Sequence, residues 1–269
     1  MNITKACLVK PGSKVDLRDY DPDSTLGFQR KEKAAKGLEK NLERLFELQN
    51  VLSADKRYAL LIILQAVDAG GKDGTISHVM RGVNPQGCQV TSFKVPTAEE
   101  LAHDFLWRIH KAVPARGMIG IFNRSHYEDV LVVRVHGMVP ESVWSKRYAQ
   151  INAFEESLAQ NNVKILKFFL HISSKEQKKR LEERIADPTK NWKISEDDFR
   201  ERKHWKEYMR AYEDVLSKCS TAAAPWFIIP ANRKWVRNFG VSLIVVEALE
   251  AMKLEYPPPS IDLSKVKLA

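Results

Sequence analysis

The chain is short of cysteine, of long apolar runs and of repeated or compositionally simple segments, and each shortage removes a class of protein. Its three cysteines, Cys7, Cys88 and Cys219, are odd in number and far apart, with no Cys-x-x-Cys pair. That argues against a disulfide frame or a cysteine metal site and for reduced thiols in a cytoplasmic protein. No apolar run approaches the roughly 20 residues that cross a bilayer, and Met1-Asn2-Ile3-Thr4-Lys5 lacks the apolar segment of a signal peptide, so no membrane association is expected. His78 and His110 have no ligand spacing with another His or Cys. The chain also lacks an RNP-like aromatic pair, zinc spacing and an Arg-rich arm, so no specific nucleic-acid partner is expected.

What is present is charge. Against 34 acidic residues stand 43 Lys and Arg, a net charge of +9 over 269 residues. The surplus suits a solvated basic surface or a polyanionic partner: nucleic acid, an anionic membrane or chained phosphate. The length suits one large α/β domain, or a core domain with an insertion.

Apolar stretches alternate with helical periods. Residues 1–30 are polar, with turn signals at Pro11-Gly12 and Asp21-Pro22-Asp23, and read as an irregular arm. From Lys31 to Leu52 the leucines at 38, 42, 45, 48 and 52 mark one helix face, which suits packing on the core or a dimer contact. Strands are expected at Leu60–Leu64, Gln89–Val95, Met118–Phe122, Val163–His171 and Trp226–Ile229. Helices are expected from the Thr97-Ala98-Glu99-Glu100 capping box to about Lys111, from Trp144 to Gln160 and from Val236 to Met252. The alternation predicts a parallel five-stranded sheet covered on both faces, with ligands at the carboxyl ends of the strands. The tail, residues 256–269, has no core to join.

The first strand runs into Asp68-Ala69-Gly70-Gly71-Lys72-Asp73-Gly74-Thr75 and then a helix start. Strand, Gly-Gly-Lys turn and helix together make a phosphate cradle of backbone N–H groups, helix dipole and one mobile cation. The match to G-x-x-x-x-G-K-[ST] is partial: Ala66 replaces the first Gly, Asp73 follows the lysine and the hydroxyl comes late, at Thr75. Taken alone, such a turn also suits an ordinary strand-to-helix connection.

The third strand ends in Asn123-Arg124-Ser125-His126-Tyr127-Glu128-Asp129. An arginine there suits a transferring phosphoryl group and the following acids suit a metal, unless the pair is a solvated loop. His126 reads as a structural hydrogen-bonder rather than a base. A further basic run, Lys178, Lys179, Arg180, Arg184 and Lys190-Asn191-Trp192-Lys193, suits a charged surface or a lid closing over phosphates. Arg180 and Arg184, four apart, share a helix face. Asn232-Arg233-Lys234-Trp235, past the last strand, falls at the same sheet edge.

These segments, together with Gly82-Val83-Asn84-Pro85, closely resemble the polyphosphate kinase 2 family over roughly residues 15–255. The resemblance implies a three-layer α/β/α fold like the P-loop nucleoside-monophosphate kinases, over residues 31–255 with a helical lid inserted at about 178–205. It implies phosphoryl transfer between inorganic polyphosphate and the nucleotides AMP, ADP and ATP, with Mg²⁺ or Mn²⁺. On this chain, Lys72 and the backbone from Gly70 to Thr75 would hold phosphate, and Asp68 and Asp73 would orient the metal or the acceptor phosphate. Arg124 and Arg184 would clamp the transferred group. Ala69, Arg81, Asn84, Asn123, Tyr127, Glu128, Lys190 and Lys193 would complete the ligand site. Many members carry Asp where this chain has Asn123, which moves the metal's ligands to Asp68 and Asp129. The Asn-Arg-Ser-His-Tyr-Glu-Asp version resembles the subgroup acting on both AMP and ADP. The resemblance also implies a homo-oligomer, dimer or tetramer.

Overall fold

A computed structural model describes residues 2–266. Helix α1 (Ile3–Cys7) precedes the long α2 (Lys31–Asp55), strand β1 (Ala59–Gln65), helix α3 (Lys72–Val79) and strand β2 (Cys88–Ser92). Short helices α4 (Ala98–Leu101) and α5 (Trp107–Ala112) lead to β3 (Ile119–Asn123), and α6 (Val132–Val135) and α7 (Glu141–Gln160) lead to β4 (Val163–His171). Then follow α8 (Ser174–Ala186), α9 (Glu196–Lys203), α10 (Trp205–Cys219), β5 (Trp226–Pro230) and α11 (Lys234–Ala251).

The five strands are parallel, in the order β2-β3-β1-β4-β5. Every residue of β1 is buried, as its unbroken apolar run requires of a central strand covered on both faces. Its neighbours are β3 on one side and β4 on the other. The turn leaving β1 therefore sits where the strand order reverses, the crevice in which such sheets bind ligands. Helices α2, α3 and α11 pack together on one face, and α6, α7 and α10 on the other.

The leucine stripe of α2 belongs to the core. Leu42, Leu45, Leu48 and Leu52 are buried, the helix packs along α11, and the stripe is not a dimer surface. The arm, irregular apart from α1 and a short turn at Leu17–Asp19, packs on the core: Cys7, Val9, Val15, Leu17 and Leu26 are buried, and Val9 N–H donates to the Trp226 carbonyl at 2.9 Å, covering the β5 edge. One expectation changes. The helix expected from the Thr97 capping box breaks after Leu101. There Asp104 accepts the Leu106 N–H at 2.9 Å and starts the chain afresh as α5. Among the described residues no helix is long and apolar enough to cross a membrane.

Candidate active site

The turn after β1 is shaped by conformations that few residues tolerate. Ala69 (φ 59°) and Gly71 (φ 98°) are left-handed. A Cβ on Gly70 would lie 2.4 Å from that of Ala66 and 2.8 Å from the Val67 carbonyl, so the turn folds back on the strand end only with glycine there. Gly71 caps α3, whose first-turn N–H groups have no carbonyl behind them and face the sheet's carboxyl edge. Lys72 curls over the turn and donates to the Ala66 carbonyl at 2.9 Å. Burial pulls its pKa down and Arg124 adds to this, while Asp68, Glu128 and Asp73 oppose it. Thr75 is buried and donates to the Gly71 carbonyl at 3.0 Å, so its hydroxyl braces the helix rather than facing a ligand.

Beside the turn, the end of β3 delivers Asn123 and Arg124. Asn123 Nδ2 donates to Asp73 Oδ1 at 2.7 Å, and Arg124 Nη2 to Asp68 Oδ1 at 3.0 Å. Arg124 is left-handed at φ 62°, a conformation that costs a non-glycine residue about 1–2 kcal/mol. Burial opposes the charge on its guanidinium, but Glu128 and Asp68, with Tyr212 and Tyr208, outweigh that and hold its pKa above the ordinary value.

Several residues of the ligand set implied by the family resemblance stand elsewhere. Tyr127 is fully buried, its phenol pushed well above the usual range by burial and bonded to Glu155 at 2.8 Å, so it touches no ligand. Asp129 turns away from the phosphate turn to Arg147 at 2.8 Å, and burial raises its carboxyl to about 6 against the pull of Arg147. It is not placed as a metal ligand. Arg81 pairs with Glu39 on the surface, and Asn84 caps a short turn through the Gln86 N–H; neither lines a cavity near the turn. The Lys193 side chain lies outside the described residues.

Helix α8 is capped by Ser173, whose Oγ accepts the Glu176 N–H at 3.1 Å. Its first half is docked rather than hinged. Gln177 donates to the Asp68 carbonyl, and Arg180 donates to the carbonyls of Ala69, Gly70, Ala231 and Asn232. Arg180 thus ties the turn after β1 to the turn after β5 and has no donor left for a phosphate. One helical turn on, Arg184 makes no ion pair among the described residues and lines the open side of the turn, with Lys190 and Trp192 beyond it.

Sequence reasoning missed Arg237. It is 2% exposed, and its hydrogen bonds go to Asn238 Oδ1 alone among the described residues. Burial, then the adjacent Arg180, lowers its pKa to about 10. Its Nη1 occupies the space beside Gly71, 1.9 Å from where a Cβ would stand. The available signal was an Arg-Asn pair inside the apolar run Val236–Val241 just past the last strand.

Two cavities meet here. A cleft of about 990 Å³ runs over the turn, and its lining includes Lys72, Arg124, Arg180, Arg184, Lys190, Lys234 and Arg237 against the acids Asp68, Asp73, Glu183 and Asp198. A second pocket of about 360 Å³ is walled by Trp205, Tyr208, Tyr212, Leu131 and Val132 and rimmed by Glu128, Asp197, Asp198 and Glu201. Asp68 and Arg124 line both. A cation-lined cleft and an aromatic pocket, opening onto one lysine-bearing turn at a strand-order reversal, define a phosphotransferase with a P-loop kinase-like α/β fold.

The polyphosphate kinase 2 (PPK2) family's sequence profile matches residues 28–257, and the chain belongs to that family. It is 50% identical over 259 residues to an AMP/ADP-polyphosphate phosphotransferase of Meiothermus ruber, covering 96% of this chain and 97% of that one. It is 47% identical over 266 residues to an ADP-polyphosphate phosphotransferase of Rhodopseudomonas palustris, covering 94% and 92%. The crystal structure of polyphosphate kinase 2 from Arthrobacter aurescens TC1 superposes with a TM-score of 0.92 at 45% identity, over 95% of this chain and 92% of that one.

Proposed function

We propose that the enzyme transfers the terminal phosphoryl group of inorganic polyphosphate to AMP and to ADP, giving ADP and ATP, and runs in reverse. The observation that carries this reading is the Asp68–Arg124 pair shared by both cavities. Polyphosphate lies along the basic cleft, its last phosphate on Lys72 and the first-turn N–H groups of α3. The nucleoside occupies the aromatic pocket, where rings suit a base and the acidic rim accepts from ribose hydroxyls and an exocyclic amine. Donor and acceptor phosphates meet at Arg124.

Both reactants are anionic and repel until cations intervene. Lys72 and Arg124 hold positive charge where negative charge builds on the transferring group, and Arg184 closes the outer side and excludes water. Asp68 and Asp73 line the cleft, and the hydrogen bonds from Arg124 and Asn123 each take one carboxylate oxygen. That suits Mg²⁺ or Mn²⁺, since an octahedral ion of this kind takes one or two carboxylates and fills its shell with phosphate oxygens and water. Among the described residues no cluster of three metal-binding side chains exists, which fits an ion held largely by substrate. When bound, the ion neutralises phosphate charge.

The test supplies polyphosphate as sole donor with AMP or ADP and no ATP. ADP and ATP should form. No product with polyphosphate, but ADP from AMP plus ATP, would make the protein a nucleoside-monophosphate kinase instead.

A further inference from the structure

The residues that follow Arg124 run into a charged cluster with no access to solvent. Glu155 on α7 and Lys167 on β4 are 1% and 0% exposed. Lys167 has three N–H donors, and all are used: on Glu155 Oε2, on the Tyr127 hydroxyl at 2.8 Å and on the Cys219 carbonyl at 2.6 Å. Glu155 Oε1 accepts from His126 Nε2 at 3.1 Å and from Tyr127 at 2.8 Å. His126 Nδ1 has no hydrogen-bond partner among the described residues. Ser125 Oγ accepts from Gln65 at 3.1 Å and from the Tyr127 N–H at 3.2 Å.

A buried ion pair is poor value as a source of stability, because desolvation offsets most of its attraction. What this one does is geometric. The cluster seizes Ser125, His126 and Tyr127, the three residues that directly follow Arg124. On the other side, the Arg124 N–H donates to the Leu64 carbonyl at 3.1 Å. A left-handed non-glycine residue persists only where its surroundings over-determine it, and these two anchors do so. Lys167 also grips the last carbonyl of α10, the helix that carries Tyr208 and Tyr212. One buried ammonium therefore joins two walls of the aromatic pocket: the turn bearing Arg124 and Glu128, and α10.

We propose that Glu155, Lys167 and Tyr127 are positioning residues for phosphoryl transfer, holding Arg124 in its strained conformation and in register with the α10 wall. The inference rests on the reading of Arg124 given above.

Tyr127→Phe removes one hydroxyl and leaves the ring's packing on Trp226; Glu155→Gln keeps shape and removes the charge. Both are measured in the wild-type and in the Arg124→Lys background, with kcat, KM for ADP and for polyphosphate, and a thermal melt. In the wild-type background Tyr127→Phe should lower kcat about tenfold or more, as expected of a misaligned transition-state group, while both KM values stay within about twofold. In the Arg124→Lys background the same change should cost less than about twofold, because the group being aligned has gone. Should Glu155→Gln fail to fold, the Tyr127→Phe cycle alone decides. Unchanged kcat in Tyr127→Phe, or an equal loss in both backgrounds, overturns the proposal and leaves the cluster as core packing. Wild-type turnover in Arg124→Ala would instead remove Arg124 from the chemistry, and the positioning role with it.

Discussion

At the turn after β1 only glycine accepts the close approach at Gly70, and Lys72 curls back over that turn onto the Ala66 carbonyl. Tyr127 and Asp129 were misread because a polar run looks the same whether it lines a site or is satisfied inside the core. The docking of Arg180 was not legible in the basic run that contains it, because its carbonyl partners come from segments more than 50 residues away. Replacing Lys72 with Ala should lower kcat about 100-fold or more, with the melting curve little changed; near-normal turnover would dismiss the phosphate turn. Gly71→Ala combines a φ of 98° with a Cβ 1.9 Å from Arg237 Nη1. It should destabilise the fold by about 1 kcal/mol or more and abolish activity. Thermal melts and turnover check both effects, and an active variant of unaltered stability would show that the turn tolerates a side chain.

Among the elements, strands and long helices followed from apolar runs and leucine spacing, since those patterns report burial directly. The packing of the arm did not, because Val9, Val15 and Leu17 are too sparse to show a period and their partners, Trp226 on β5 and Ser217 and Glu213 on α10, come about 200 residues later. The arm also bears on pH. His171, at the end of β4, is buried among arm residues Leu17 and Tyr20, and burial drops its pKa from 6.5 to about 4. A depressed histidine pKa means that the unfolded chain takes up a proton that the folded chain refuses. Stability from this group is complete above about pH 6.5 and is lost as pH falls toward 4, by up to about 3 kcal/mol. Denaturant titrations between these pH values should show the loss, and His171→Asn should flatten it; an equally steep decline in the variant would assign the effect to other groups.

At the scale of the whole molecule, the +9 surplus gathers in part at the cleft, while the aromatic pocket is rimmed by acids. The two substrates should therefore respond differently to salt. The KM for polyphosphate should rise about tenfold or more between roughly 50 and 200 mM salt, as for other polyanions that release counterions on binding, and that for the nucleotide far less. Parallel dependence would mean that both ligands share one electrostatic environment. The division of labour between the cavities is the centre of the account, and a crystal structure with AMP and a non-hydrolysable polyphosphate bound together tests it most directly. The account predicts the base against Tyr208 and Tyr212, the AMP phosphate at Asp68 and Arg124, and the polyphosphate chain running from Lys72 past Arg184 and Lys234. A nucleoside lying in the basic cleft, or a polyphosphate chain that avoids Lys72, would contradict it.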